Sequence, residues 1–350
     1  MSHFPSRLII DGEALAANWR RLARESGSAE CGAAVKADGY GLGASETVRR
    51  LAEAGCRHFY VATWAEADEL MPWPSELQMS VLHGVGPDDM AAALDSPARP
   101  VLNTAAQIER WFEHGQGRPC DLMVDTGMNR LGTSPEEARQ AVAAGLHVET
   151  LMSHLACADE PGHPLNEEQL RIFEQLRRAV EAQCYSLANS AGIFLGERYA
   201  FDLTRPGISL YGGVPVPDDP RQLDAISQVA SIEAQIIQLR EVPAGGSVGY
   251  GATWRAPSAR TVAIINLGYA DGYVRSLGEA GQIISDGRTF PFIGRVSMDL
   301  IAVDLNGGPR FAEGDWLTVD YSLPRLALAS GKSQYEMITG LGHRFERRWV

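Results

Sequence analysis

The sequence predicts an α/β protein of two domains, an N-terminal (β/α)8 TIM barrel and a C-terminal, mostly β domain. Between about residues 31 and 212, eight short β-rich apolar runs alternate with helix-like segments. Polar residues directly follow several of these runs, as they do at the carboxyl ends of barrel strands. Beyond about residue 220 the helical pattern fades, and strand-like runs are separated by Gly-Gly and Asp-Gly turns. We therefore expect a barrel over residues 1–222 and a β domain over residues 223–350.

The barrel elements follow from local sequence signals. The predicted strands are residues 33–36, 59–63, 79–82, 100–102, 122–125, 150–153, 185–188 and 208–211. The clearest predicted helices are residues 44–54, 104–114, 134–144 and 166–183. Ser134 and Pro135 form a helix start, and Gly145 follows that helix as a C-cap glycine does. A doubly wound open sheet stays an alternative, because periodicity does not distinguish it from a barrel.

The C-terminal half has a different pattern. A Pro/Gly/Asp-rich stretch at residues 211–220 predicts a linker. The strands predicted beyond it are residues 230–239, 261–267, 282–285, 300–305 and 316–319.

Composition excludes several classes of function. Of the 350 residues 45% are hydrophobic and 21% charged, which is typical of globular chains and argues against disorder. A net charge of −13 argues against binding to nucleic acid or to an anionic membrane. There is no eighteen-residue apolar run, and the N-terminus lacks a signal-peptide core. Five cysteines, an odd number, indicate reduced thiols, so we expect a cytoplasmic protein.

Five polar positions lie at or next to the ends of predicted strands, and in barrels the active site lies at the carboxyl ends of the strands. They are Lys36, Arg130 after Asp125, His154, Ser190 after Asn189, and Arg205 with Gly207. The loops after strands seven and eight are the usual phosphate site of this fold, and Ser190 and Gly207 fall there. Taken singly, each position has an ordinary structural explanation, such as a surface charge, a core histidine or, for Ser190, a helix cap.

Lys36 ends a small apolar run, Gly-Ala-Ala-Val, which predicts a buried strand. A desolvated lysine has a lowered pKa and is a competent Schiff-base nucleophile. The glycines at 39, 41 and 43 do not have the spacing of a dinucleotide-binding fingerprint.

Two other chemistries are weak alternatives. His154, Cys157 and His163 do not have the spacing of a zinc site, so we expect no metal. Residues 245–249 match Gly-x-Ser-x-Gly, the serine-hydrolase elbow, but the segment that follows is a poor helix.

Nine motifs in order resemble those of bacterial alanine racemases, pyridoxal phosphate enzymes of fold type III. The first, Ala-Val-Lys-Ala-Asp-Gly-Tyr-Gly-Leu-Gly at residues 34–43, is similar to the family's cofactor-lysine motif. The others lie at residues 124–132, 152–159, 188–191, 205–208, 248–253, 268–272, 294–299 and 335–336. The resemblance spans nearly the whole chain.

The resemblance implies a two-base interconversion of L-alanine and D-alanine, for cell-wall D-alanine supply or for alanine catabolism. Lys36 bears pyridoxal phosphate and is the base for the D-isomer. Tyr250, supplied by the second subunit of a homodimer with shared active sites, is the base for the L-isomer. His154 bonds that tyrosine, and Arg205 faces the pyridine nitrogen, where it restrains side reactions.

The remaining site residues are implied by the same resemblance. The phosphate contacts are Tyr40, Ser190, Gly207, Ile208 and Tyr335. Arg130 holds the substrate carboxylate, and Met298, with Asp299 beside it, contacts substrate from the partner subunit.

One position departs from the family pattern. Several members carry a lysine that becomes carbamylated and braces the arginine that corresponds to Arg130; here the position is Met123. Methionine carries no charge, so we hypothesise that a bound anion such as chloride braces Arg130.

Three alternatives share the same lysine chemistry. A broad-specificity amino-acid racemase would keep every catalytic residue and differ in pocket size. A fold-related decarboxylase would lack the Tyr250 motif. A non-catalytic pyridoxal phosphate carrier has no evident use for a second domain that supplies a base.

Overall fold

The computed structural model describes residues 4–350, which divide into two compact units. One comprises residues 15–211 and 215–227, and the other comprises residues 4–14, 212–214 and 228–350. Within residues 4–350, the helices are all too short or too polar to cross a membrane.

Seven parallel strands of the first unit pair in chain order, each with the next. They are Ala33–Ala34, His58–Val61, Gln78–Val81, Arg99–Leu102, Cys120–Met123, Val148–Met152 and Cys184–Ser186. Most residues of these strands are buried, as expected of a parallel sheet covered by helices. The first seven predicted strands are therefore confirmed, with ends shifted by one or two residues.

The eighth strand is Leu203–Thr204, and it closes the barrel. It pairs in parallel with Glu30–Cys31, which precedes the first strand across Gly32. On its other side, the N–H groups of Asp202 and Arg205 donate to the carbonyls of Tyr185 and Ala188, at 3.0 and 2.9 Å. The sequence thus predicted the closed barrel correctly.

The predicted position of that strand, residues 208–211, was wrong. Ile208–Tyr211 is a buried 3-10 turn. A short apolar run surrounded by protein is apolar on every side, so its hydrophobic pattern does not distinguish a strand from a helical turn.

Helices alternate with the strands, and their starts follow the predicted signals. Ser134 accepts from the N–H of Glu137 at 3.2 Å, and the Glu137 carboxylate accepts from the N–H of Ser134 at 2.7 Å. This reciprocal cap starts the predicted helix at Pro135. The helices are Gly12–Glu25, Ala44–Ala54, Trp64–Glu69, Met90–Asp95, Ala105–His114, Pro135–Ala143, Pro164–Ala179, Ser190–Ile193, Glu197–Ala200 and Pro220–Leu223.

The second unit is built on antiparallel strands. The long strand Ala230–Val242 pairs through its first half with Trp316–Val319 and through its second half with Arg260–Ile265. These pairings close a ring that also contains Ile301–Asp304, Arg288–Ile293 and Gln282–Ser285. Shorter strands are Ser247–Val248 and Trp254–Arg255, and the helices are Leu323–Ser330 and Gln334–Thr339.

The N-terminal strand Ser6–Ile10 belongs to this β unit. It pairs antiparallel with Ala230–Val242 and parallel with Glu346–Trp349. The division predicted at residue 222 placed these residues with the barrel. Their alternating burial fits any half-buried sheet, so the local pattern does not specify the partner strands.

Candidate active site

Lys36 follows the first barrel strand and opens a left-handed turn. Ala37, Asp38 and Gly39 have φ values of 54°, 52° and 60°, and Tyr40 has a φ of 56°. L-residues in this conformation cost about 1–2 kcal/mol each, so the turn needs support from its surroundings. The Glu66 carboxylate accepts from the N–H of Ala37 at 2.9 Å, and the Asp38 carboxylate accepts from the N–H of Ala44 at 2.8 Å.

The Lys36 amine lies in an environment that disfavours its charge. Burial lowers its pKa, and the nearby Arg130 lowers the pKa further, while Glu66 opposes both effects. A lysine with a lowered pKa is the form that serves as a nucleophile or base.

Tyr40 is fixed against the loop after the eighth strand. Its ring stacks on Tyr211 with centroids 4.5 Å apart, and the Tyr211 hydroxyl donates to the Ala34 carbonyl at 2.8 Å. A Cβ at Gly207 would overlap the Tyr40 hydroxyl. Only glycine therefore lets this loop approach the tyrosine so closely.

Ser190 lies where backbone N–H groups converge. Its Oγ accepts from the N–H of Gly207 at 2.9 Å and from that of Ser209 at 3.3 Å. Converging N–H groups beside a hydroxyl form a suitable seat for a phosphate oxygen. The helix cap is Asn189, which accepts from the N–H of Gly192 at 2.9 Å, so Ser190 is not the cap.

Arg205 is buried within the barrel. Its guanidinium donates to the Ser186 hydroxyl and to the Ser153 carbonyl, and its central carbon lies 6.0 Å from the centre of the Tyr60 ring. Burial lowers the pKa of Arg205, but a guanidinium still keeps its proton in proteins. A permanent charge is therefore fixed in the interior.

The surroundings of His154 disfavour its charged form. Burial lowers its pKa to about 3, with further contributions from Arg205, Arg130 and Lys36. The electrostatic influence of these three groups on one imidazole shows that the fold brings four of the predicted residues together. A neutral imidazole both donates and accepts a hydrogen bond.

The other predicted residues lie in the β unit. Tyr250 is 70% exposed, on a turn between Gly249 and Gly251, which have φ values of 79° and 73°. Met298 is 53% exposed, and its carbonyl accepts from the N–H of Ala270 at 3.0 Å. Tyr335 is about half exposed. The structure thus presents these three side chains on the surface.

The sequence interpretation missed Glu66 and Gln169. Glu66 stands three residues after Thr63, whose hydroxyl accepts from its N–H at 3.2 Å, and this capping spacing is visible in the sequence. Gln169 is buried on a helix, and its hydrogen-bond partners lie outside its local sequence pattern, so no motif marks it.

Met123 is buried at the end of its strand, and Arg130 is exposed. Within residues 4–350, Arg130 has no ion pair with a carboxylate. Bracing of Arg130 by chloride stays a prediction.

Two family models match the chain along most of its length. The alanine racemase N-terminal domain matches residues 10–215, and the alanine racemase C-terminal domain matches residues 229–349. The chain belongs to the alanine racemase family. The match covers both units, so the barrel and the β domain together are characteristic of the family.

Relatives match over their full length. The alanine racemase of Methylobacterium nodulans is 41% identical, with 99% of this chain and 96% of the relative covered. The biosynthetic alanine racemase of Agrobacterium fabrum is 40% identical, with 99% and 94% covered.

Solved structures of alanine racemases have the same fold as this chain. The alanine racemase of Bartonella henselae, with covalently bound pyridoxal phosphate, has a TM-score of 0.90 at 33% identity. The biosynthetic enzyme of Pseudomonas aeruginosa has a TM-score of 0.89 at 35% identity, and 99% of each chain is covered in both comparisons.

The hydrolase alternative is contradicted by the fold. Ser247 lies in a two-residue strand that pairs with Trp254–Arg255, whereas a nucleophile elbow requires a turn from a strand into a helix.

The lowered pKa of His154 predicts a pH dependence of stability. Its folded-state pKa of about 3 lies below the ordinary 6.5, so the unfolded chain takes up a proton first as the pH falls. The wild type should lose up to about 1.4 kcal/mol per pH unit below pH 6.5 through this group. His154→Gln should lack this part of the pH dependence of the free energy of unfolding. Urea midpoints at about pH 7, 6 and 5 measure it. If the free energy of unfolding fell equally steeply with pH in the wild type and in His154→Gln, the histidine would not be held neutral in the folded state.

Proposed function

We propose that this chain interconverts L-alanine and D-alanine with pyridoxal phosphate held at Lys36. The observation that carries the proposal is the group formed by Lys36, His154 and the buried Arg205 in a barrel that matches the alanine racemase family model along its length. When bound, pyridoxal phosphate withdraws electrons from the amino-bearing carbon and makes its hydrogen acidic.

The residues fit this cofactor. The Lys36 amine has a lowered pKa, which suits reaction with an aldehyde. We assign the phosphate to the hydroxyls of Tyr40 and Ser190, to the N–H groups of Gly207 and Ile208, and to Tyr335. The N–H of Gly207 donates to the Ser190 Oγ in the structure, and in this assignment the phosphate shares that donor. Arg205 has the fixed charge needed to disfavour a second positive charge on a pyridine nitrogen.

Racemisation requires two bases, because a proton must leave one face of the α-carbon and arrive on the other. We assign the D-isomer's proton to Lys36 and the L-isomer's proton to Tyr250. An ordinary tyrosine, with a pKa near 10, is a weak base at neutral pH. His154, neutral and able to accept, is assigned to share that proton, and Arg130 to hold the substrate carboxylate.

The second base comes from another copy of the chain. Tyr250 and Met298 are large side chains exposed on the β unit, where another subunit can reach them. We propose a homodimer in which each β unit supplies Tyr250 and Met298 to the other subunit's barrel. We also propose a cytoplasmic location, since all five cysteines are free thiols.

The reaction itself is tested by following the circular dichroism of L-alanine with purified protein and added pyridoxal phosphate. We expect the signal to decay to zero, since the two isomers have equal energies. L-serine serves as the comparison for a broader racemase. A flat trace with alanine but decay with serine would replace the assigned substrate.

The shared site is tested by complementation between two inactive variants, Lys36→Ala and Tyr250→Phe. After exchange of subunits, half of the dimers are mixed and each mixed dimer holds one intact site. We therefore expect about a quarter of the wild-type rate. If Tyr250 served its own subunit, no mixed dimer would contain an intact site, and the mixture would stay inactive.

The phosphate seat is tested by Gly207→Ala, because the added Cβ overlaps the Tyr40 hydroxyl. Displacement of Tyr40 and of the loop should weaken pyridoxal phosphate binding by about tenfold or more, in line with the loss of one or two hydrogen bonds to a charged group. Spectroscopic titration of the cofactor measures the effect. Gly162→Ala is the matched control, because no atom lies near its added Cβ. Unchanged affinity in Gly207→Ala would place the phosphate elsewhere.

A further inference from the structure

Gln169 is a fully buried amide on the helix Pro164–Ala179, and its polar atoms bond to the loops that follow strands five and six. Its Oε1 accepts from the N–H of Ala156 at 2.9 Å. Its Nε2 donates to the His154 carbonyl at 2.9 Å and to the Thr126 hydroxyl at 3.1 Å. The carbonyl of His154 and the N–H of Ala156 fix which way the amide points. In the reverse orientation the amide NH2 would face the N–H of Ala156, and the amide oxygen would face the carbonyl of His154.

The hydrogen bonds continue from Gln169 to Arg205. The hydroxyls of Thr126 and Ser153 lie 2.7 Å apart, and the Ser153 carbonyl accepts from the Arg205 guanidinium. All of these groups are buried, so each lost partner leaves a polar group unsatisfied. The network therefore ties the backbone that carries His154 to the support of Arg205.

We propose that Gln169 is a positioning residue for racemisation, which sets the placement of His154 directly and that of Arg205 through Thr126 and Ser153. The inference rests on the proposed function and adds to it a residue that does not contact substrate or cofactor. A shift of His154 by a fraction of an ångström alters its hydrogen bond to the base for L-alanine, and catalytic steps are sensitive to such shifts.

The test uses Gln169→Met, which keeps the length of the side chain and removes its three hydrogen bonds. In the holoenzyme dimer we expect kcat to fall by about 10- to 100-fold with little change in KM. The primary deuterium isotope effect should rise more for L-[α-²H]alanine than for D-[α-²H]alanine, because the Tyr250–His154 side of the reaction becomes slower.

The pH profile gives a second readout. His154 faces Arg205, Arg130 and Lys36, and burial with these charges keeps its pKa low. Without the bonds from Gln169, the loop that carries His154 is held less tightly and admits water, which raises the pKa of His154 towards 6.5. The acid limb of kcat/KM should therefore move to higher pH in Gln169→Met.

Asn166 provides a matched control on the same helix. It is also a buried amide, and it donates to the carbonyls of Cys157 and Glu160 at 3.0 Å, farther along the loop from His154. Asn166→Leu should lower stability while the isotope effects and the acid limb stay as in the wild type. If Gln169→Met changed only stability, as Asn166→Leu does, the role of Gln169 would be structural and the inference would be wrong.

Thr126→Val keeps the inference testable if Gln169→Met does not fold. This isosteric change removes only the hydroxyl that links Gln169 to Ser153. We expect a smaller fall in kcat and a rise in the L-alanine isotope effect; unchanged values would contradict the link to Arg205. Absence of racemisation in the wild type would instead contradict the proposed function itself.

Discussion

The buried guanidinium of Arg205 is the interaction on which the barrel site depends. A charge in the interior requires hydrogen-bond partners, and the structure supplies the Ser186 hydroxyl and the Ser153 carbonyl. The Ser186 hydroxyl in turn donates to the Leu203 carbonyl, which ties the seventh strand to the eighth. Burial, with smaller contributions from Arg205, Arg130 and Lys36, lowers the pKa of His154 to about 3 and so keeps the imidazole neutral. Barrel closure, the support of the cation and the protonation state of the histidine therefore form one arrangement.

Strain near Lys36 is balanced by a second set of contacts. Residues 37–40 lie in the left-handed region, and the carboxylates of Glu66 and Asp38 hold the N–H groups on either side of that turn. Glu66 also opposes the electrostatic effect of Arg130 on Lys36. One carboxylate thus supports both the geometry of the lysine and its charge balance. The reactive group is held by a rigid turn on the barrel rather than by a flexible loop.

Much of the fold could be predicted from the sequence because burial on both faces marks parallel strands clearly. Seven of eight barrel strands were located, since each is a short apolar run bounded by helical segments. Leu203–Thr204 was missed because Asp202 and Arg205 flank it, so no apolar run marks the strand. Ser6–Ile10 was assigned to the wrong unit because its partners lie more than 200 residues away, and pairing across that distance leaves no local mark.

By itself, the sequence indicated the family and located the polar residues near the strand ends, because the motifs that carry the resemblance occur at fixed positions relative to their strands. Only the tertiary structure decided the protonation of those residues. Lys36, His154 and Arg205 lie as much as 169 positions apart in the chain, and their pKa values depend on burial and on the charges around them. The supporting contacts of Gln169 and Glu66 were likewise decided by folding, since a buried amide or carboxylate is defined by what surrounds it.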